Sequence, residues 1–126
     1  MSNIPVVERF VESWNRMDVG AIASAFATDG VWHNIPMEPR RGREAIRVAV
    51  ARFLANVDTV DWRTLAIAED ADGRVLTERV DGFGMKNGAR VELPVMGIFE
   101  IAGGQIVSWR DYFDLAMMQN QMAAAG

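Results

Sequence analysis

Cysteine is absent from these 126 residues, so they can build no disulfide, thiol nucleophile or thiolate metal site, and the expected setting is a reducing, cytoplasmic one. One histidine, His33, leaves too few imidazoles for a His-based metal site, and neither metal nor cofactor is expected. No stretch approaches the ~20 apolar residues of a membrane span. The start, Met1-Ser2-Asn3-Ile4-Pro5, has neither a basic n-region nor an apolar h-region, so no leader and no membrane role are expected. Positive charge is also scarce. With 13 Lys and Arg against 17 Asp and Glu, the net charge of −4 argues against a nucleic-acid partner, which needs a concentrated basic surface. The cluster Arg40-Arg41-Gly42-Arg43 is short and reads as a solvated helix entry.

What is present suits one α+β domain over residues 1–126. Ser2 or Asn3 can cap a first helix with Pro5 in its first turn, and Val6, Val7, Phe10, Val11 and Trp14 recur at three- and four-residue steps. Asp18 can cap a second helix running through Phe26, with Thr28-Asp29-Gly30 as a turn after it. Val31 to Asn34 reads as a short strand halted by Pro36 and Pro39, with Trp32 and Asn34 on one face and His33 on the other. A third helix is expected from Gly42 to about Asn56. The period then changes to two, predicting strands over 57–68, 74–83, 89–101 and 105–113. Turn chemistry at Asp70-Ala71-Asp72-Gly73, Lys86-Asn87-Gly88 and Gly103-Gly104 makes consecutive strands antiparallel hairpins. The tail from Leu115, with Met118 and Met122 at helical spacing, folds back as a last helix, and its methionines either line the mouth of a pocket or simply pack.

Helices on one face of a curved antiparallel sheet leave a pocket lined by alternate strand residues. The inward set is Trp32, Asn34, Arg79, Asp81, Phe83, Leu93, Val95, Asp111 and Phe113. Val60, Trp62, Leu76, Val80, Met96 and Ile98 are assigned to the outer face, where they would suit a partner subunit. Glu78 and Glu100 face away from the pocket, and His33 reads as a packing or surface residue. Residues two apart share a strand face, so Arg79 accompanies Asp81, and Asp111 lies between Trp109 and Phe113.

Two carboxylates around one guanidinium admit two readings. As a structural network, Arg79 bridges Asp81 and Asp111 and Asn34 completes the hydrogen bonds, although desolvating ions costs several kcal/mol each and apolar replacements are often as stable. As a catalytic site, the trio carries −1 and becomes neutral on keeping one proton. The aspartates then titrate as a coupled pair and supply an acid and a base side by side. Water addition to a strained epoxide needs both.

Trp32-His33-Asn34-Ile35-Pro36-Met37, Thr77-Glu78-Arg79-Val80-Asp81 and Trp109-Arg110-Asp111-Tyr112-Phe113-Asp114, in this order, resemble the limonene-1,2-epoxide hydrolase family across nearly the whole chain. The resemblance implies a cone-like, curved, mixed/antiparallel β-sheet wrapped around N-terminal helices (nuclear transport factor 2-like, cystatin-like), usually as a homodimer. It further implies Asp111 as the base that activates water, Asp81 as the acid, Arg79 as their bridge and Asn34 as a holder of the water. Ring opening would be concerted, giving a vicinal diol from a small apolar epoxide lying against Phe83, Leu93, Val95 and Phe113. This chain departs from the pattern at Trp32, where the family usually has a water-binding tyrosine. Indole only donates, so Trp32 either donates to the water or fills its space. The alternatives kept beside the hydrolase are a ketosteroid-isomerase-like or polyketide-cyclase-like enzyme and a non-catalytic small-molecule-binding domain.

Overall fold

In the computed structural model, which describes residues 2–124, the chain runs α1 (Ile4–Asn15), α2 (Val19–Ser24), β1 (Phe26–Asn34), β2 (Arg40–Arg41), α3 (Arg43–Leu54), β3 (Val57–Glu69), β4 (Val75–Met85), β5 (Arg90–Ala102), β6 (Gln105–Tyr112) and α4 (Leu115–Ala123). The strands form one curved, unclosed sheet in the order β2-β1-β6-β5-β4-β3. The mixed α+β class and the antiparallel meander from β3 to β6 agree with the sequence reading. The mixed element is β1, which pairs parallel to β6. No helix among the described residues is long and apolar enough to cross a membrane.

Local chemistry explains most boundaries. In α1, Val7, Phe10, Val11 and Trp14 are buried on one stripe. Ser2 Oγ accepts from the Ile4 N–H, while Asn3 Nδ2 donates to the Gly73 carbonyl and ties the helix entry to the β3–β4 turn. The Asp18 carboxylate caps α2 by accepting from the Ala21 N–H at 3.0 Å, and Asp114 caps α4 in the same way from Met117.

Three expectations change. The second helix stops at Ser24, because Phe26 is already the first residue of β1: the Ala25 carbonyl accepts from the Ile106 N–H, and the Phe26 carbonyl accepts from Arg43 Nε and Nη2. That contact also gives Arg43 a part-buried task beyond solvating a helix entry. Thr28-Asp29-Gly30 is an irregular stretch inside β1, whose register jumps from Phe26↔Ile106 to Val31↔Ser108. Val60 and Trp62 face inward. Val60 pairs with Phe83 and Trp62 with Asp81, and directly opposed residues share a sheet face. An irregularity between Thr64 and Ala66 reverses the alternation along β3, so the sequence pattern read from its far end carries the wrong phase.

The concave face closes on α1, and aromatic rings fill the space between. Trp14 stacks on Trp62 at 4.5 Å and Trp32 on Trp109 at 5.2 Å, with Phe99 stacked on Trp109 at 5.5 Å and the edge of Phe10 against it at 4.9 Å. Such pairs add about 0.5–1.5 kcal/mol each beyond area burial, which fixes the rings in one arrangement. Strand β6 covers β5 only from Met96 onward, which leaves the Glu92 backbone without a strand on that side. The Gln121 side chain of α4 satisfies it, accepting from the Glu92 N–H and donating to its carbonyl. This docks α4 at the open end of the sheet and brings Met118 to the cavity wall.

Candidate active site

Strands β4 and β6, on either side of β5, supply the charged groups at the cavity floor. Arg79 and Asp81 are two apart on β4, Asp111 lies on β6, and the register Thr77↔Gly97↔Asp111 carries the contact across β5. Gly97 makes the approach possible: a Cβ there would lie 2.5 Å from Arg79 Nη1, nearer still to Asp111 Oδ1, and 3.1 Å from Thr77 Oγ1. The missing methyl is the space in which the guanidinium and the Asp111 carboxylate meet.

All five guanidinium N–H groups are used. Nε donates to Asp81 Oδ1 at 2.9 Å, and Nη2 donates to Asp81 Oδ2 at 2.8 Å and to Asp111 Oδ2 at 2.6 Å. Nη1 donates to Asp111 Oδ1 at 3.2 Å and to Thr77 Oγ1 at 3.0 Å. Arg79 is fully buried, with its cationic carbon 5.1 Å from the centre of the Trp62 ring and 5.9 Å from that of Trp109. Asp81 and Asp111 are also buried, yet both reach the cavity wall.

Electrostatics follow from this enclosure. Burial pushes Asp81 up to about 6; the bonds and charge of Arg79 oppose the rise, and the charge of Asp111 adds to it. Asp111 is raised as well, by burial, against the pull of Arg79 and of a hydrogen bond from Trp109. Burial disfavours the Arg79 cation, but the two carboxylates outweigh that and hold it firmly protonated. Both carboxyl groups therefore hold a proton more readily than free ones do.

The cavity holds about 400 Å³, within the usual range for small-molecule sites. Every expected inward residue except Arg79 lines it: Trp32, Asn34, Asp81, Phe83, Leu93, Val95, Asp111 and Phe113. Arg79 lies behind the carboxylates. Asn34 pairs with Asp111 in the parallel register, and its side-chain amide has no hydrogen-bond partner among the described residues. Trp14, Trp62 and Trp109 complete the aromatic wall, and Glu38 and Arg40 stand at the rim.

Two residues play parts the sequence did not announce. Trp109 donates its indole N–H to Asp111 Oδ1 at 2.7 Å, a contact that the shared face of residues 109 and 111 could have suggested. Thr77 takes the fifth guanidinium donor by the same two-residue spacing to Arg79. Trp32 lines the same wall. Its indole lies flat on Trp109, and its Nε1 is buried without an acceptor among the described residues. His33 points elsewhere and pairs its Nε2 with the Met37 carbonyl. No cluster of His, Cys, Asp or Glu with metal-binding geometry occurs among the described residues.

Known proteins are similar to this chain in sequence and fold. A family model described as a SnoaL-like domain matches residues 7–109. The epoxide hydrolase EphG of Mycobacterium tuberculosis is 32% identical over 110 residues, which cover 86% of this chain and 71% of that protein. A solved M. tuberculosis structure described as an LEH-like epoxide hydrolase superposes with a TM-score of 0.84 at 29% identity, over 98% of this chain and 90% of its own. A hypothetical protein with a ketosteroid isomerase-like fold from Catenulispora acidiphila, in complex with trimethylamine, matches at TM-score 0.83 and 26% identity, over 94% and 92%.

Proposed function

The chain belongs to the SnoaL-like domain family, and we propose that it is an epoxide hydrolase that adds water in one step to a small apolar epoxide. The observation that carries this reading is the single guanidinium shared by two buried carboxylates at the floor of an aromatic cavity. Homology to a named epoxide hydrolase at 32% identity supports it.

In the proposed reaction, Asp111 takes a proton from a water steadied by the free amide of Asn34. The water oxygen attacks an epoxide carbon as the carbon–oxygen bond breaks, and Asp81 gives its proton to the departing oxygen. A vicinal diol results. The proton has moved from Asp81 to Asp111, and its return across the Arg79 bridge restores the starting state. Arg79 holds both carboxylates in position, and no covalent intermediate forms. Phe83, Leu93, Val95 and Phe113 receive the apolar body of the substrate, a terpene oxide or a lipid-derived epoxide, while Trp32 shapes the wall.

Proton movement beside a carbonyl, as in an isomerase or cyclase, is the second reading, favoured by the likeness to a ketosteroid isomerase-like fold. It gives no use to an arginine that spends four of its five donors on the two carboxylates. We further propose one functional unit over the chain and a homodimer through the convex sheet face, where Leu76, Met96 and Tyr112 are exposed.

Turnover of an epoxide panel, including limonene oxide and a fatty epoxide, in oxygen-18 water tests the reaction. Diol carrying one heavy oxygen after a single turnover is the expected result. Absence of diol from every member, with isomerised or cyclised ketone substrates instead, would replace the hydrolase by the second reading.

A further inference from the structure

Arg79 treats its two aspartates alike. It gives two N–H bonds to each, and the fifth goes to Thr77. Nothing in that pattern says which carboxylate is base and which is acid. The asymmetry comes from β6: Asp111 Oδ1 accepts a third donor, Trp109 Nε1, and Asp81 has no counterpart among the described residues. Of the four tryptophans, all of which line the cavity, the indole N–H groups of Trp14, Trp32 and Trp62 are buried without a partner, and Trp109 alone is engaged.

We propose that Trp109 decides which aspartate is the base: its indole N–H keeps Asp111 ionised and leaves the shared proton on Asp81. An indole can only donate, so it favours the acceptor-only form of the carboxyl group it touches. It also cannot swing away. Trp109 is fully buried, stacked between Trp32 and Phe99 with the edge of Phe10 against its ring, so its dipole is fixed before any substrate arrives. Among the described residues no other charge near Asp111 breaks the tie. Asp81 and Arg79 face it from β4, β5 offers Gly97 without a side chain, and β1 contributes the neutral Asn34. Glu38 and Arg40 stand at the rim with opposite signs, and the helices contribute Trp14, Ala49, Phe53 and Met118. Trp109 is thus a positioning residue that acts through Asp111. Its catalytic consequence rests on the hydrolase reading; the order of ionisation does not.

Carbon-13 carboxyl and nitrogen-15 indole NMR of the substrate-free protein across pH 4–9 test this directly. Asp111 should be ionised throughout the range in which Asp81 loses its proton, with the Trp109 indole proton the furthest downfield of the four. An Asp111 that holds the proton while Asp81 is ionised overturns the proposal, whether or not any epoxide is turned over. Trp109→Phe keeps a ring and removes the donor. Asp111 should then gain about tenfold in proton affinity, one pH unit, and the acid limb of kcat should move up by a similar amount with KM unchanged. A lower kcat with an unmoved acid limb would mean that Trp109 is only packing. If the variant does not fold, the wild-type order of ionisation still decides the matter.

Discussion

Gly97→Ala adds one methyl group and should disable the site. Gly97 has no positive φ, so alanine meets no backbone strain there; a small gain of about 0.4–1 kcal/mol from a stiffer unfolded chain would be expected were the site open. It is not open. The new Cβ would lie 2.5 Å from Arg79 Nη1, closer still to Asp111 Oδ1 and 3.1 Å from Thr77 Oγ1. Ordinary contact for such pairs is about 3.5 Å, so the guanidinium and carboxylate must retreat by roughly 1 Å. Overpacking of this kind costs about 1–3 kcal/mol, and for a chain of this length each kcal/mol lowers Tm by roughly 3–5 °C. A displacement of about 1 Å at reacting groups can cost about 10²-fold in rate. Thermal unfolding and single-turnover epoxide hydrolysis measure both effects, with Gly20→Ala as control, where the added Cβ meets only Asp18 Oδ1 at 3.6 Å. A Gly97→Ala protein with wild-type Tm and wild-type turnover would refute the argument that the missing methyl makes room for the trio.

Asp81→Asn and Asp111→Asn should each lower hydrolysis by about 10²–10⁴-fold; a variant that keeps most of its activity removes that residue from the mechanism. If Asp81 is the acid of the proposed reaction, activity should fall as pH rises through about 6, where it gives up its proton. Stability should follow the same group. Its pKa is raised on folding from 3.8 to about 6, so the folded state binds the proton more tightly; stability is greatest below about 4 for this group and is lost as pH rises through 6. Urea unfolding of wild type and Asp81→Asn at pH 4 and pH 7.5 checks the sign, since the variant should lose this pH dependence. Trp32→Tyr removes an orphaned indole N–H and leaves space beside Asn34. Turnover should be maintained or raised while Tm falls, and a folded but inactive variant would show that the site depends on the indole face.

The cluster of Asp81, Arg79 and Asp111 was legible because strands have a period of two and its residues obey it. Arg79 with Asp81, and Trp109 with Asp111, need only a strand and a shared face, and the cross-strand register then joins them. Errors arose where the chain departs from its own period. The irregularity at Thr64–Ala66 turned Val60 and Trp62 inward, and the register jump after Phe26 made part of a strand look like a turn. Parallel pairing of β1 with β6 left no local signal, because its partners lie more than seventy residues apart and no turn chemistry joins them.

The distinction between the two aspartates was hidden for a related reason. Each follows an apparent partner by two residues, Arg79 before Asp81 and Trp109 before Asp111, so the two pairs look unlike in sequence: one ionic, one aromatic. In the fold the arginine serves both carboxylates, and among the described residues the tryptophan is the one further hydrogen-bond donor that tells them apart. Spacing therefore predicted which groups meet, but not how many donors each acceptor receives. That count depends on the orientation of one ring, set by the stack of Trp32, Trp109 and Phe99 across β1, β6 and β5. A substitution in that stack far from solvent, such as Phe99→Leu, would alter the tilt of the indole and should shift the ionisation of Asp111 without touching either carboxylate.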